Sequence, residues 1–183
     1  MGPEERARRV RLLLLDVDGV LTDGTVVIHA DGSESKAFSI RDGAALVWAQ
    51  RAGLTVGLLS ARTSGATAQR AAQLAIRVVH QGVSSKLAAY NQILADAALD
   101  DDAVAFMGDD LVDLPVLGRA GLAAAPADAA AEVTARAHWV SRSPAGRGAV
   151  RELVEMILRA QDRWDAVVAQ HAAADEEPPA REN

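Results

Sequence analysis

The feature that most constrains the fold is a set of short apolar runs separated by longer stretches of helical period. The runs are residues 12–17, 54–59, 76–79, 103–107, 121–125 and 137–140. The helical stretches between them are 43–52, 64–74, 84–97, 110–119 and 128–135. Since most runs lack polar alternation, they predict strands buried on both faces, which is typical of a parallel sheet. The alternation therefore predicts a doubly wound, Rossmann-like α/β sheet with right-handed crossovers.

One segment interrupts the alternation, between the first strand and the first helix. Two extended runs flank Asp31-Gly32, a pattern that predicts a β-hairpin over about 24–40. A lone hairpin is marginally stable. We therefore expect its apolar side chains to pack on its own domain or on another subunit. These side chains are Val26, Ile28, Phe38 and Ile40.

Near the end of the chain, one long helix is predicted from about 148 to 170, with an apolar stripe along it. The stripe comprises Val150, Leu153, Val154, Ile157, Leu158, Trp164 and Val168. Its continuation past Trp164 is expected to exceed what one domain covers and to meet a partner. Residues 171–183 are polar, acidic and proline-containing, which predicts a disordered tail. Residues 1–170 are interpreted as a single domain, because no linker or repeat divides them.

Composition excludes several classes of protein. The chain has 183 residues with 19 Lys+Arg against 25 Asp+Glu, a net charge of −6, and this acidic balance argues against nucleic-acid binding. There is no cysteine, which excludes thiol catalysis and cysteine–zinc sites. No apolar run approaches the ~20 residues of a membrane span, and four leucines are too few for a secretion signal. We expect a cytoplasmic protein with neither nucleic-acid nor membrane partners.

The strongest chemical signal follows the first apolar run, which passes directly into Asp16-Val17-Asp18-Gly19. Ligands of open parallel sheets bind beyond the carboxyl ends of the strands. Carboxylates two residues apart in an extended chain point to the same side and repel one another unless a cation neutralises them. Mg²⁺ suits such oxygen ligands. A turn or a helix cap would explain one aspartate here, and the spacing of Gly and Glu excludes a calcium EF-hand loop.

Polar side chains also follow three later strands. Ser60 follows the second strand, Lys86 begins the helix after the third, and Asp109 and Asp113 follow the fourth. Taken singly, the serine and an aspartate are ordinary helix caps, and the lysine is an ordinary surface residue. A lysine at a helix start nevertheless opposes the helix dipole. The specific signal is the order of these residues at the ends of successive strands.

That order resembles the four motifs of the haloacid dehalogenase superfamily of phosphohydrolases. Within it, the chain resembles the 3-deoxy-D-manno-octulosonate 8-phosphate phosphatase family over about residues 11–165. The family's minimal cap is a hairpin and its members are tetramers, so the resemblance implies a homotetramer here. The matching segments are LLLLDVDGVLTDG, ESKAFSIRDG, HQGVSSKLAAY, MGDDLVDLPVL and GRGAVRELVEMILRAQ.

The resemblance also implies the catalytic residues. Asp16 would attack phosphorus and form an aspartyl-phosphate. Asp18 would protonate the leaving sugar alkoxide and later activate water. Ser60 and Lys86 would bind the phosphoryl oxygens, where they stabilise the transition state.

A magnesium site is implied by the same resemblance. Asp16, the backbone carbonyl of Asp18, and Asp109 would hold the Mg²⁺. Asp113 would orient Lys86 or the water on the metal from behind.

The resemblance further implies a small phosphosugar substrate. Arginine suits its carboxylate, because guanidinium donors match a planar carboxylate in pairs. For Arg70, a solvated helix face is the alternative. The implied substrate-binding residues are Asp18, Ser39, Arg41, Asp42, Gly43, Arg62, Arg70 and Lys86.

Two departures from the family pattern concern the substrate. Ser60-Ala61-Arg62 stands where the family commonly has Thr-Gly-Arg, and Val47 stands where a basic residue is frequent. They leave open a phosphatase for another nonulosonate or another small phosphosugar. A non-catalytic assembly module is the alternative from a different class, although every matched polar position is filled. A phosphoacceptor signalling domain fits less well, because its acceptor aspartate lies on an internal strand and lacks a second aspartate two residues on.

Overall fold

The structure is a computed structural model, and it describes residues 1–173. The strands are β1 (Leu12–Leu15), β2 (Val27–Ile28), β3 (Glu34–Ser35), β4 (Thr55–Leu59), β5 (Val78–His80), β6 (Val104–Met107), β7 (Leu122–Ala125) and β8 (Trp139–Val140). The α-helices are α1 (Pro3–Ala7), α2 (Ile40–Arg51), α3 (Gly65–Gln73), α4 (Lys86–Ala97), α5 (Leu114–Leu117), α6 (Ala131–Thr134), α7 (Ala149–Ala160) and α8 (Trp164–Ala173). Three-residue 3₁₀ turns precede β6 and α5, at Asp101–Ala103 and Leu111–Asp113.

Six strands form one sheet in the order β5-β4-β1-β6-β7-β8, and every neighbouring pair is parallel. Each predicted strand is present, and the predicted doubly wound α/β class is confirmed. The chain extends the sheet from β1 to one side and then returns to extend it from β6 on the other. The carboxyl ends of β1 and β6 therefore form the switch point at which such sheets bind ligands.

The uninterrupted leucines of β1 follow from burial on both faces of the sheet. Leu13 and Leu15 belong to the cluster covered by α2 and α7, whereas Leu12 and Leu14 face the side of α4 and α5. Successive side chains of a strand point to opposite faces, so a strand covered on both sides needs apolar residues at every position. This packing fixes the end of β1, where Asp16 begins.

The predicted hairpin is present and shorter than expected. β2 pairs antiparallel with β3, with Val27 opposite Ser35 and Ile28 opposite Glu34. The turn is closed by a hydrogen bond of 2.9 Å from the His29 amide to the Ser33 carbonyl. Val27 and Ile28 are exposed, at 58% and 66%. Because they are successive residues of a strand, the hairpin has uncovered apolar side chains on both of its faces within this chain.

The prediction of one long helix over 148–170 is wrong, because the segment forms two helices, α7 and α8. Asp162 lies between them with φ of +55°, in the left-handed region that ends a helix. The Gln161 side-chain amide leaves the helix axis and donates to the carbonyls of Ala7 and Val10, at 2.9 and 2.8 Å. These contacts tie the end of α7 to α1.

The apolar stripe was also expected to need a partner from Trp164 onwards. At Trp164 itself this expectation is wrong. The five aliphatic members on α7 are buried under α2 and α1, and Trp164 packs edge-on against Trp48 with ring centroids 5.8 Å apart. Val168 alone in the stripe is half-exposed. Residues 171–173 of the predicted tail close α8, and 174–183 lie outside the described residues. In the part of the chain that the structure describes, no helix combines the length and apolar character of a bilayer span.

Candidate active site at the carboxyl edge of the sheet

Asp16 is the first residue after β1, and the neighbouring strand holds it in place. Its backbone amide donates to the carbonyl of Met107, the last residue of β6, at 3.0 Å. The residue is buried. The chain then turns sharply, with the amides of Leu21 and Thr22 both donating to the Val17 carbonyl. The sequence Asp-Val-Asp-Gly therefore leaves the strand as a tight loop and directs Asp16 into the crevice between β1 and β6.

Lys86 forms an ion pair with Asp16. It is the first residue of α4, whose start is capped by the Ser85 hydroxyl, which accepts from the Ala88 amide at 3.2 Å. The buried Lys86 Nζ lies 3.0 Å from Asp16 Oδ1 and 2.6 Å from Asp113 Oδ1. Burial lowers the pKa of Lys86, but the two carboxylates outweigh burial, so the pKa is raised overall. Lys86 is therefore charged and paired on both sides.

Asp113 is fully buried and joins the lysine to the loop after β6. Its Oδ1 accepts from Lys86, and its Oδ2 accepts from the backbone amides of Asp109 and Asp110, at 3.0 and 3.3 Å. Both oxygens are thus already engaged. Asp113 thus contacts Lys86, and the orienting role that the resemblance implied for it stays a prediction.

The described residues contain one cluster able to hold a metal ion, made of Asp16, Asp109 and Asp113, whose carboxylate oxygens lie within 4.8 Å of one another. Asp109 Oδ1 is buried and has no hydrogen-bond partner among the described residues. Since Asp113 already accepts from Lys86 and two amides, Asp16 and Asp109 are the members of the cluster with more oxygens left for a cation. These residue types and this unpartnered oxygen fit a hard divalent cation.

The electrostatics of the cluster also favour a cation. Burial, reinforced by Asp113, raises the pKa of Asp16 to about 6 despite the nearby Lys86. Burial, together with Asp16 and Asp113, raises the pKa of Asp109 to about 8. A bound divalent cation would stabilise both ionised carboxylates.

Gly19 explains why this loop approaches Asp109 so closely. Its φ is +91°, a conformation that favours glycine. A Cβ placed at this position would lie 2.0 Å from Asp109 Oδ2. The glycine of the Asp-Val-Asp-Gly motif therefore provides both the turn and the space for the second carboxylate.

Ser60 directly follows β4, the strand that pairs with β1, and is buried. Its backbone pairs with His80 of β5, and its hydroxyl oxygen accepts from the Arg62 amide at 3.2 Å. The hydroxyl hydrogen remains available to a phosphoryl oxygen. Ser60 thus sits at the strand end that the motif order predicted.

Asp18 belongs to a second charged group, made with the hairpin. Lys36 Nζ lies 2.7 and 2.9 Å from the two Asp18 carboxylate oxygens, and Arg62 Nε lies 3.5 Å from Asp18 Oδ2. Arg62 also pairs with Glu34 at 3.0 Å. The predicted residues Asp18 and Arg62 are therefore brought together, and two hairpin residues join them.

Sequence reasoning missed Lys36 and Glu34 as candidate site residues. The signal that could have found them is alternation: residues 34 and 36 are two apart in an extended chain, so they point to one side. The hairpin follows the Asp-Val-Asp-Gly loop directly, which places that side against the site. Lys36 also donates to Thr67 Oγ1 on α3, at 3.5 Å.

The remaining predicted sugar-binding residues occupy different surroundings. Ser39 caps α2, since its hydroxyl accepts from the Asp42 amide at 3.2 Å, and its carbonyl accepts from Arg70 at 3.1 Å. Gly43 leaves room for Arg70, because a Cβ there would lie 2.2 Å from the guanidinium. Arg41 is exposed. Ser39, Gly43 and Arg70 therefore form one packed unit at the start of α2.

Asp42 lies apart from the carboxylate cluster. It is buried, and its two oxygens accept from the backbone amides of Gly148 and Arg151, at 3.2 and 2.8 Å. The carboxylate is thus consumed in joining the starts of α2 and α7. The prediction that Asp42 binds substrate is replaced by a structural role.

Comparison with known proteins agrees with this geometry. The family model for haloacid dehalogenase-like hydrolases matches residues 51–153. The 3-deoxy-D-manno-octulosonate 8-phosphate phosphatase of Yersinia pestis is 42% identical over 161 residues, which are 88% of this chain and 86% of that protein. The phosphatase of the same name from Escherichia coli strain K12 is 41% identical over 165 residues, 90% of this chain and 88% of that protein.

A solved structure shows the same fold. The 3-deoxy-D-manno-octulosonate 8-phosphate phosphatase of Moraxella catarrhalis, solved with a magnesium ion, a phosphate ion and a KDO molecule, superposes with a TM-score of 0.90. It is 31% identical, over 92% of this chain and 97% of that chain. The chain belongs to the haloacid dehalogenase-like hydrolases. Within that family, its identity to these relatives places it among the 3-deoxy-D-manno-octulosonate 8-phosphate phosphatases.

Proposed function

We propose that this protein hydrolyses the phosphate ester of a phosphorylated sugar acid, 3-deoxy-D-manno-octulosonate 8-phosphate, with Mg²⁺ as cofactor. The observation that carries the proposal is the buried Lys86, held between Asp16 and Asp113 beside the unpartnered Asp109 Oδ1. A cation and carboxylates arranged in this way are suited to binding and attacking a phosphoryl group. The substrate is supported by relatives more than 40% identical across nearly the whole chain.

Asp16 and Asp109 hold the Mg²⁺ in this proposal, together with the backbone carbonyl of Asp18. When bound, the cation supplies positive charge that keeps the carboxylates ionised and offsets the charge of the phosphoryl oxygens. Lys86 and the Ser60 hydroxyl bind phosphoryl oxygens from the other side. Asp113 keeps Lys86 in position through its 2.6 Å contact.

In the first half-reaction, an Asp16 carboxylate oxygen attacks phosphorus and forms an acyl-phosphate bond. The ester P–O bond breaks, its electron pair goes to the sugar oxygen, and Asp18 gives that oxygen a proton. In the second half-reaction, Asp18 accepts a proton from the attacking water. The acyl-phosphate P–O bond then breaks, releasing phosphate and restoring the Asp16 carboxylate.

Substrate recognition is assigned chiefly to Arg62. Its half-exposed guanidinium lies beside Asp18, where the leaving group must sit. Arg41 is exposed near the start of α2, and the unit of Ser39, Gly43 and Arg70 lies behind it. These residues form one wall of the proposed sugar site, whereas Asp42 is not part of it.

The proposal includes a cytoplasmic homotetramer of single-domain subunits, residues 1–170. Its support is the exposure of two apolar hairpin side chains, Val27 and Ile28. Hairpins from different subunits would cover these side chains and exclude water from the site. A site shielded from water strengthens the electrostatic interactions that catalysis uses.

Phosphate release from a panel of phosphorylated sugar acids tests the function. We expect Mg²⁺-dependent turnover, with the highest kcat/KM for 3-deoxy-D-manno-octulosonate 8-phosphate. A higher kcat/KM for a nonulosonate 9-phosphate or another phosphosugar would replace the substrate but keep the reaction. No turnover with any phosphomonoester would favour the non-catalytic assembly module.

A further inference from the structure

The hairpin buries a charged side chain, Lys36, and exposes apolar ones, which is the reverse of the usual distribution. Its Ile28 is 66% exposed, yet the Lys36 side chain is only 1% exposed. A buried ammonium is costly unless it is paired and hydrogen-bonded. Its place in the fold therefore depends on its partners.

The partners of Lys36 lie on three segments. Nζ donates to Asp18 Oδ2 at 2.9 Å and to Thr67 Oγ1 at 3.5 Å, and it lies 3.9 Å from Glu34 Oε1. Nζ is also 2.7 Å from Asp18 Oδ1. Lys36 thus contacts both oxygens of the Asp18 carboxyl group and fixes its orientation.

We propose that Lys36 is a positioning residue, which holds the Asp18 carboxyl group in the orientation that serves the leaving oxygen. The inference rests on the proposed function. When the ester P–O bond breaks, the electron pair stays on the leaving oxygen, and the proton carried by Asp18 moves to it. The hairpin thereby contributes to proton transfer without touching the phosphate.

Lys36 differs in this respect from its neighbour Arg62. The Arg62 side chain is 52% exposed and can reach a substrate carboxylate, whereas Lys36 is enclosed by Asp18, Thr67 and Glu34. A residue that binds substrate would affect every substrate carrying the group it binds. A residue that positions the proton donor affects substrates according to how much their leaving group needs a proton.

The test is a leaving-group series measured on the full chain with Mg²⁺. Alkyl and aryl phosphates without a carboxylate, from ethyl phosphate to p-nitrophenyl phosphate, are assayed by kcat/KM. With Lys36→Met, we expect kcat/KM to fall at least about tenfold for ethyl phosphate and less than about twofold for p-nitrophenyl phosphate, because general acid catalysis matters most for poor leaving groups. Asp18→Asn should show the same trend more steeply, and Lys36→Arg should partly restore ethyl phosphate hydrolysis.

Ser35→Ala is the matched control. Ser35 is the neighbouring hairpin residue and contacts His29, at 2.8 Å, rather than Asp18. It should follow the wild-type series throughout. Because Lys36 is buried, thermal unfolding is measured alongside, and Lys36→Gln, which keeps an N–H donor, replaces the Met variant if that variant does not fold.

A uniform loss of kcat/KM over the series, or none, in a folded Lys36 variant would overturn the positioning role. The proposed function fails separately: wild-type protein would then show no Mg²⁺-dependent hydrolysis, or Asp18→Asn would leave the series unchanged. If wild type and Asp18→Asn behave as expected while Lys36→Met matches wild type, only the inference about Lys36 is wrong.

Discussion

Two buried lysines pair with aspartates of the same loop but come from regions that are packed very differently. Lys86 begins α4, which packs on the central sheet, and it holds Asp16 against Asp113. Lys36 follows a strand of two residues in a hairpin with exposed apolar side chains, and it holds Asp18. The ion-pair chemistry is alike, while the supporting structure is not.

The contrast indicates a division of labour. Groups that contact the phosphoryl group must be held closely in the productive geometry, which a packed helix and sheet provide. Groups that act on the leaving group can be carried by an inserted segment, which varies without disturbing the core. Substitutions around Lys86 should therefore lower the hydrolysis of every phosphate ester. Substitutions in the hairpin should lower it for some leaving groups more than for others.

The largest effect is expected from Asp16→Asn, which removes the nucleophile held by Lys86. An amide cannot form the aspartyl-phosphate, so turnover should be lost for every leaving group. Mass spectrometry of acid-quenched protein should find covalent phosphate on wild type and none on the variant. Phosphate attached elsewhere in the variant, with turnover retained, would contradict the assignment.

Removing the metal should have nearly as large an effect. EDTA should abolish phosphate release and Mg²⁺ restore it, and Mg²⁺ should raise the Tm, because a ligand that binds only the folded state stabilises it. Asp109→Asn should weaken both responses. Asp110→Asn is the matched control, since asparagine also caps helices well, and it should respond as wild type does. Full activity in EDTA would exclude the magnesium site.

Lys86→Met is expected to lower kcat/KM by about 10²–10³, the usual loss when one preorganised charge at a transition state is removed. The loss should be the same for aryl and alkyl phosphates, because Lys86 meets the phosphoryl group and not the leaving group. The measurement is the leaving-group series used for Lys36. If Lys86→Met spared p-nitrophenyl phosphate, the two lysine centres would not differ as proposed.

Ile28→Asp should have a smaller, indirect effect. A charge on the exposed hairpin face opposes packing between hairpins, so the variant should dissociate and lose activity several-fold while its sheet stays folded. Light scattering coupled to gel filtration measures the assembly. Val168→Asp places the same charge on an exposed site of α8 and is the control. A fully active wild-type monomer would contradict the tetramer.

The smallest effect on activity is expected from Asp42→Ala. The variant leaves the buried amides of Gly148 and Arg151 without their acceptor, which should cost about 1–3 kcal/mol in the free energy of unfolding. The kcat/KM of the folded variant should be near that of wild type. Asp96→Ala, at an exposed site on α4, is the control and should cost about 0.5 kcal/mol or less. A large loss of activity at unchanged stability would return Asp42 to the substrate site.

The sequence predicted the central sheet and the residues at its carboxyl edge well, because the signals for them are local. The uninterrupted leucines of β1 indicate burial on both faces, and a strand end is where Asp16 can meet Lys86. The same reasoning could not find Lys36, because its burial depends on how the hairpin lies against Asp18 and Thr67. Pairing across such distances in the chain has no local periodicity.

The errors near the end of the chain have a similar cause. The apolar stripe continues past Gln161, so periodicity alone predicts one helix. The helix ends where Asp162 adopts a left-handed conformation and the Gln161 amide donates to the carbonyls of Ala7 and Val10. Trp164 packs against Trp48 and is therefore buried within this chain, whereas Val168 stays half-exposed. Both contacts join residues far apart in the chain, so the local sequence pattern does not predict them.

The position of α7 has a consequence for the order in which the protein can fold during synthesis. The face of the sheet bearing Leu13 and Leu15 is covered by α7, which the ribosome makes after every strand. At about 5–20 residues per second, about 7 to 27 seconds separate the synthesis of β1 from that of α7. Until then that face lacks the part of its cover that α7 provides, and Asp42 lacks the amides of Gly148 and Arg151. The nascent chain therefore exposes apolar surface on this face until α7 is made.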